Sequence, residues 1–353
     1  MTMIDRKKCG FSVISVFLRK LKHVLKGDNV SVKKIPGING DYDYLEICHN
    51  GSVDYGKIIY VIKENCDHDG FCATLRFILC YLIFAEQHGL VPKIVLSEDF
   101  VYYDEEKSKD ISNPWEYYFL QAEDSYDETN AKNVCYGNYY QMQMIRERYD
   151  MSAYKAENYY NGEILGICSP LVKKYFVLRP EIISEAEELL RKAREKGGKI
   201  LGIHFRGTDY KYGYNGHPIY IDEAQMIAEI KMAIENEGFS ALFLATDDAS
   251  ICDKLASCFR EKEVLMFRDV YRSSGDRSVA FCESERKYHH YLLGYEIARD
   301  MYTLSLCDGL LACKSSVGFI SNLYKHSRNE EYEFMHIIDN GNQVSDRQFV
   351  ARP

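Results

Sequence analysis

Apolar and polar positions follow two different periods along the chain, and the second half shows both cleanly. "KILGIHF" (199–205) is an apolar run without alternation, as in a strand covered on both faces. The helix predicted before it, "PEIISEAEELLRKAREKGG" (180–198), is well marked. Pro180 suits a first turn, glutamates crowd the N-terminal half, Lys and Arg the C-terminal half, and Gly197 and Gly198 close it. Then come helix 220–238, strand 240–248 ("SALFLATDD"), helix 249–260, strand 263–268 ("EVLMFR"), a long helix 286–307, strand 309–314 ("GLLACK") and a last helix opening at Ser315 and Ser316. Strand and helix alternating over this length predict a parallel, doubly wound α/β domain.

The first half is less regular. "GKIIYVIK" (56–63) reads as a strand, "NCDHDGF" (65–71) as a turn-rich loop, 72–90 as a buried helix closed by Gly89, and "PKIVLSED" (92–99) as a strand. That is one βαβ unit. Residues 101–175 are polar and aromatic without alternation and predict only short helices and loops. The domain boundaries expected are 1–28 for an N-terminal segment, 29–178 for an N-terminal α/β domain, 179–330 for the C-terminal domain, and 331–353 for a final strand and tail.

Residues 6–26 differ from the rest. Phe11, Ile14, Phe17, Leu18, Leu21 and Leu25 fall near helical spacing, with Arg19, Lys20, Lys22 and Lys26 between them. The apolar run is too short to cross a bilayer, and no small-residue cleavage site follows it. A basic amphipathic helix peripheral on an anionic membrane face is one reading, and a helix packed on the protein's own body is the other.

Composition narrows the function. The 353 residues suit two domains, and a net charge of −9 argues against a general nucleic-acid binder. The 29 tyrosines against a single tryptophan suit sugar or protein contacts, or are simply compositional bias. The 12 cysteines include no CxxC pair, and many sit in apolar runs, as Cys80 and Cys313 do. They read as small buried hydrophobes in a reducing, cytoplasmic compartment. Cys66, His68 and Cys72 lie close in sequence, but a metal site needs a fourth ligand that is not evident, so no metal is expected.

The candidate chemistry sits at strand ends. In open α/β sheets, ligands bind beyond the C-terminal ends of the strands. Three predicted strands end in His204-Phe205-Arg206, Thr246-Asp247-Asp248 and Lys314-Ser315-Ser316. Amides and hydroxyls at a helix start make an anion site, and the Arg206 fork pairs with phosphate. Carboxylates grip a ribose or the N–H edge of guanine. A nucleoside diphosphate fits this set better than a free sugar does. Each residue taken alone has a structural reading, Asp247 or Asp248 as a helix cap above all.

These residues resemble a known family. "HFRGTD" (204–209), His217-Pro218-Ile219, "ATDD" (245–248) and "RDMYTLSLCDGLLACKSSVGF" (299–319) are similar, in order and spacing, to the motifs of the α1,6-fucosyltransferase and nodulation fucosyltransferase group. The likeness to α1,2- and protein O-fucosyltransferases is looser. "DGFCATL" (69–75) resembles the family's glycine-rich loop. The resemblance implies a GT-B glycosyltransferase, with two Rossmann-like domains facing across a cleft. It implies an inverting, metal-independent transfer of fucose from GDP-fucose, with no cofactor.

By matching position, His204 and Asp300 would read guanine. Arg206 and Ser316 would hold the β-phosphate, with Ser315 and the backbone of Gly70 and Cys72 beside it. Asp247 and Asp248 would order the pocket. Two departures matter: the family's second arginine is Gly207, and its catalytic glutamate has no counterpart in "YKYGYNG" (210–216), which leaves Asp209 or an acid of the N-terminal half to take the acceptor proton. The expected acceptor is a glycan or lipid-linked oligosaccharide in bacterial surface polysaccharide or glycoconjugate synthesis. The alternatives are a transferase for another nucleotide sugar and a nucleotide-sugar-binding protein without transfer activity.

Overall fold

The structure, a computed structural model, describes residues 30–36, 42–64, 69–122, 125–273, 275 and 277–349. The basic segment 6–26, Cys66 and His68 lie outside the described residues. Among the described residues, no helix is long and apolar enough to cross a membrane.

The first sheet contains β1 (Val30–Pro36), β2 (Tyr42–Cys48), β3 (Ile59–Ile62), β4 (Val91–Ile94) and β6 (Val134–Tyr136) in the order β1-β2-β6-β3-β4. Strands β3, β4 and β6 are parallel, whereas β1 and β2 form an antiparallel hairpin on β6. This half is therefore Rossmann-like in its three parallel strands only. Helix α1 (Phe71–Gln87) crosses from β3 to β4 and is apolar nearly all round, because it lies between the first sheet and the helices of the second half.

Residues 101–175, expected to form only short helices and loops, hold the short α2 (Glu105–Ser108) and β5 (Phe119–Leu120) but also two full helices, α3 (Tyr139–Tyr149) and α4 (Gly162–Tyr175). Asn138 opens α3 in a capping box with Gln141, and Asn161 caps α4 by accepting from Glu163 and Ile164. Buried Ile164, Cys168, Leu171, Val172 and Tyr175 form one stripe of α4, running past Pro170 inside the helix. β7 (Val177–Leu178) pairs with β5 and leads into α5 (Pro180–Glu195).

The second sheet contains β8 (Ile200–Phe205), β9 (Ala241–Thr246), β10 (Glu263–Leu265), β11 (Gly309–Cys313) and β12 (Phe334–Ile338), all parallel, in the order β10-β9-β8-β11-β12. The chain passes through α6 (Thr208–Tyr212), α7 (Glu223–Glu237) and α8 (Ala249–Cys258) on one side of β8. It returns through α9 (His289–Leu306) to build β11 and α10 (Ser316–Ser327) on the other. The winding reverses between β8 and β11, and that gap is where such sheets bind ligands. The final strand expected in 331–353 is β12, the edge of this same sheet.

β10 stops at Leu265 rather than 268 because Arg272 bends the chain back. Its guanidinium donates to the carbonyls of Phe267 (2.9 Å) and Thr246 (3.2 Å).

Side-chain parity on β8 sets up the site. Leu201, Ile203 and Phe205 pack against Met226 and Ile230 of α7 and Ile251 and Leu255 of α8. Ile200, Gly202 and His204 point to the other face, toward α9. Gly202 lets α9 approach closely: a Cβ there would lie 3.1 Å from Leu304 Cδ2 and 3.2 Å from Cys307 Sγ.

α10 packs on α9, α4 and α1, so one apolar core spans both sheets. One tight inter-half contact is Gly294 of α9 against Tyr118, whose hydroxyl donates to the Tyr291 carbonyl at 3.0 Å. A Cβ at Gly294 would sit 2.3 Å from that hydroxyl oxygen. Gly294→Ala is expected to destabilise the protein by about 1–3 kcal/mol through overpacking. Gly166→Ala in α4, where nothing lies within 4 Å, should stabilise it by about 0.5–1 kcal/mol. Urea unfolding of the two variants checks both signs.

Candidate active site

The C-terminal ends of β8 and β11 face the N terminus of α1 across a cavity of about 170 Å³. Gly70 and Cys72 line it from the N-terminal half. Arg206, Asp209, Ser315 and Ser316 line it from the other. It continues into a smaller, mostly apolar compartment of about 60 Å³ bounded by Asp247, Ile297 and Asp300, and His204 and Arg206 belong to both.

Arg206 is held in place before any ligand arrives. Its Nη1 pairs with Asp247 Oδ2 at 2.7 Å, and its Nη2 with Asp209 Oδ1 at 2.7 Å and Ser278 Oγ at 3.1 Å. Despite burial, the two carboxylates hold the guanidinium above its usual pKa, so it is always charged. Asp247 also accepts from the Gly207 amide (2.8 Å) and the Thr208 hydroxyl (2.6 Å), which fastens the turn after β8 to the end of β9. Gly207 is required by this packing, since a Cβ would lie 2.5 Å from Asp248 Cβ. The arginine expected there by resemblance has no room.

Two helix N termini converge on the same space. Ser315 caps α10, its hydroxyl accepting from the Gly318 amide at 3.2 Å, which leaves Ser316 as the hydroxyl on the cavity wall. Tyr159, fully buried, fixes this turn by accepting from the Ser315 amide at 2.9 Å. α1 starts at Gly70 with no side-chain cap and no acidic residue in its first turn, and Asp69, directly before it, lies on the same cavity wall. The Tyr102 hydroxyl takes the Phe71 amide at 3.0 Å. The fork of Arg206 and the N-terminal ends of α1 and α10, each carrying positive potential, thus converge on one cavity.

The smaller compartment holds two polar groups of another kind. Neither ring nitrogen of His204 has a hydrogen-bond partner among the described residues, although the side chain is 5% exposed. Burial, with the Arg206 charge adding to it, pushes its pKa down to about 4 against the pull of Asp247, so the ring is neutral at pH 7. Asp300, on α9, keeps Oδ1 buried and unpartnered. Burial pushes this carboxyl up to about 7, against Arg272 and Arg299. Leaving such groups unpaired is costly, and both face a cavity that a ligand edge can fill.

The other expected residues separate by place. Asp209 lies on the cavity wall, with its Oδ1 paired to Arg206. Cys72 contributes backbone only, because its thiol points at Met301 Sδ (3.6 Å) in the core and burial raises its pKa. Asp248 lines neither compartment: it is the N-cap of α8, accepting from the Ser250 amide (2.9 Å) and pairing with Lys211. Those bonds hold its carboxyl below the usual range despite burial.

Tyr102, Tyr154, Tyr159, Ser278 and Phe349 were not singled out in the sequence, because their positions depend on loops and on the returning tail. Lys314 anchors that tail by pairing with Asp339 and donating to Asn342 Oδ1 at 2.8 Å.

Fold and crevice define a class: an α/β protein with a Rossmann-type parallel sheet facing a second α/β half, and a crevice between them at the switch point. No family model matches the chain, and no curated protein does. Among solved structures it is similar to "NodZ alpha-1,6-fucosyltransferase co-crystallized with GDP", at 14% identity and a TM-score of 0.44, covering 76% of this chain and 92% of that one. It is also similar to "POFUT1 in complex with GDP (High resolution dataset)", at 10% identity and a TM-score of 0.44, covering 81% of this chain and 99% of that one.

The split between Asp247 and Asp248 is testable. Asp248→Ala should cost about 1 kcal/mol or more in urea unfolding, as for other lost caps. Pyrophosphate affinity by calorimetry should stay within about twofold, since Asp248 does not touch the crevice. Asp247→Ala should weaken pyrophosphate binding by about tenfold or more, because it frees the Arg206 turn.

Proposed function

We propose that the chain is a glycosyltransferase that moves fucose from GDP-fucose to a glycan hydroxyl, with inversion and without a metal. The observation carrying this reading is the joining of two unlike compartments. A cationic mouth with two helix N termini suits a diphosphate. The mostly apolar recess beside it, holding the unpartnered Oδ1 of Asp300 and neutral His204, suits a base that offers N–H donors. Guanine presents adjacent N–H groups on one edge, which a carboxylate can accept together. The motif resemblance assigns the same residues to the same parts of GDP-fucose.

Chemically, the bond between the sugar's anomeric carbon and the β-phosphate oxygen breaks, and negative charge grows on the diphosphate. Arg206 is already fixed by Asp209, Asp247 and Ser278, so it stabilises that charge without reorganising. The α10 end, through Ser316, and the backbone at the start of α1 supply further positive potential in place of a metal. The acceptor is a glycan or lipid-linked oligosaccharide of surface polysaccharide or glycoconjugate synthesis. Membrane-surface contact through the basic residues near the N terminus would suit a lipid-linked acceptor.

Calorimetry should show GDP binding of equal strength in chelator and in Mg²⁺; a strict metal requirement would sink the reading. With GDP-fucose, Arg206→Ala should lower kcat by about a hundredfold or more, and Arg206→Lys should recover only part, because an ammonium lacks the planar fork. Wild-type turnover in Arg206→Ala would show that the end of β8 serves structure only. GDP bound tightly with no release of GDP from GDP-fucose would indicate a binding protein.

Asp300 adds a pH dependence. Its carboxyl titrates at about 7 in the free protein, and N–H donors of a bound guanine favour the ionised form. GDP affinity should therefore fall as pH drops from 8 to 6, by at most about tenfold per unit. Asp300→Asn should flatten that profile and weaken binding at pH 8. His204, titrating at about 4, contributes nothing over this range.

A further inference from the structure

Resting on the transfer reading above, one step still lacks a residue: something must take the proton of the attacking hydroxyl. The loop 210–216, between the Arg206 turn and His217, carries no carboxylate. The cavity wall carries two carboxylates: Asp209, whose Oδ1 is paired with Arg206, and Asp69, which directly precedes the N terminus of α1, on the side where the diphosphate is placed. The Tyr210 hydroxyl donates to the Lys314 carbonyl at 3.0 Å, and burial raises the pKa of both Tyr154 and Tyr210, so neither takes up a proton.

His217 is placed differently. It lines the same cavity as Arg206, Asp209 and Ser316, from the loop after α6. Its backbone is clamped on both sides: the amide donates to the Tyr214 carbonyl at 3.1 Å, and its carbonyl accepts from the Gln343 amide at 2.7 Å. Its ring sits among Tyr154 (5.5 Å between centroids), Tyr210 (6.1 Å), Tyr214 (5.6 Å) and Phe349 (5.3 Å). Nδ1 is buried and has no hydrogen-bond partner among the described residues. Burial holds the imidazole below its usual pKa; of the charged groups, Asp209 pulls it up and Arg206 pushes it down. The ring is therefore neutral at pH 7, as a proton acceptor must be.

We propose that His217 is the general base of the transfer. The acceptor oxygen forms its bond to the anomeric carbon while the bond from that carbon to the β-phosphate oxygen breaks. The electron pair of the broken bond leaves with GDP, beside Arg206. The hydroxyl proton passes to a ring nitrogen of His217, and the imidazolium returns it to solvent after release. The aromatic rings that fix the imidazole also form a wall on which a sugar face can stack, which brings the acceptor to the base.

The test uses GDP-fucose with water as acceptor, read as GDP release at saturating donor across pH 5–9. Saturating donor keeps Asp300 out of the kcat profile. The wild type should lose kcat on the acid side, with a single ionisation below about 6.5. His217→Gln should lower kcat by about 10²–10⁴-fold and erase that limb, while GDP affinity by calorimetry stays within about threefold. His217→Ala should regain part of its rate with added imidazole. Near-wild-type kcat in His217→Gln, or an acid limb that survives in it, overturns the assignment; so does loss of the limb instead in Asp69→Asn, which removes the other carboxylate on the cavity wall. Loss of GDP binding in both His217 variants assigns the residue to building the site and also overturns the proposal. Wild-type protein that binds GDP but never releases it from GDP-fucose removes the transfer reading and the base together. Active wild type with unaffected His217 variants removes the base alone.

Discussion

The pairing of Arg206 with Asp247 is the contact on which the rest of the crevice depends. It joins the ends of β8 and β9, and Asp247 gathers the Gly207 amide and the Thr208 hydroxyl into the same bond set. A lone arginine on a loop would pay side-chain entropy each time it met a ligand. Here the carboxylates and Ser278 fix the fork in advance. The cost is that much of the cation's charge is neutralised at rest. The N-terminal ends of α1 and α10 supply further positive potential, with no acidic residue in either first turn.

The recess behind Arg206 is costly to maintain. Asp300 titrates at about 7 in the folded chain, against roughly 4 in an unfolded one. An acid whose folded pKa is raised binds its proton more tightly when folded, so its contribution to stability declines as pH rises from about 4 to about 7. Neutral His204 beside it also gives up hydrogen bonds that water would provide. The surrounding core tolerates this because it is large and continuous. α10 is packed at once on α9, α4 and α1, so apolar burial on both sides of the recess holds it open.

That shared helical layer also explains why the crevice needs both halves. Gly294 against Tyr118, and Tyr159 against the Ser315 turn, set how closely the start of α1 approaches the end of β11. A small slip between the halves would separate the two helix ends and leave Arg206 facing a wider, wetter gap. In such a gap its charge would count for less.

How much of this the sequence determined depends on the range of the interaction. The second sheet was legible because its strands are buried on both faces and its helices are capped, so local pattern and final burial agree. Its strand ends led to His204, Arg206, Asp247 and Ser316 for the same reason, whereas Asp300, inside α9, was reached only through the motif resemblance. The mixed first sheet was legible only in its βαβ unit, β3-α1-β4; the β1-β2 hairpin was missed, and β6 reaches β2 and β3 across long stretches of chain that carry no period of their own. Nor could the sequence tell Asp247 from Asp248. The two are neighbours, but strand parity and the turn into α8 send one to Arg206 and the other to the helix cap. His217 was visible as part of a motif but without a task. Only the tertiary structure closed Tyr154, Tyr210, Tyr214 and the returning Phe349 around it, because those rings come from segments far apart in the chain.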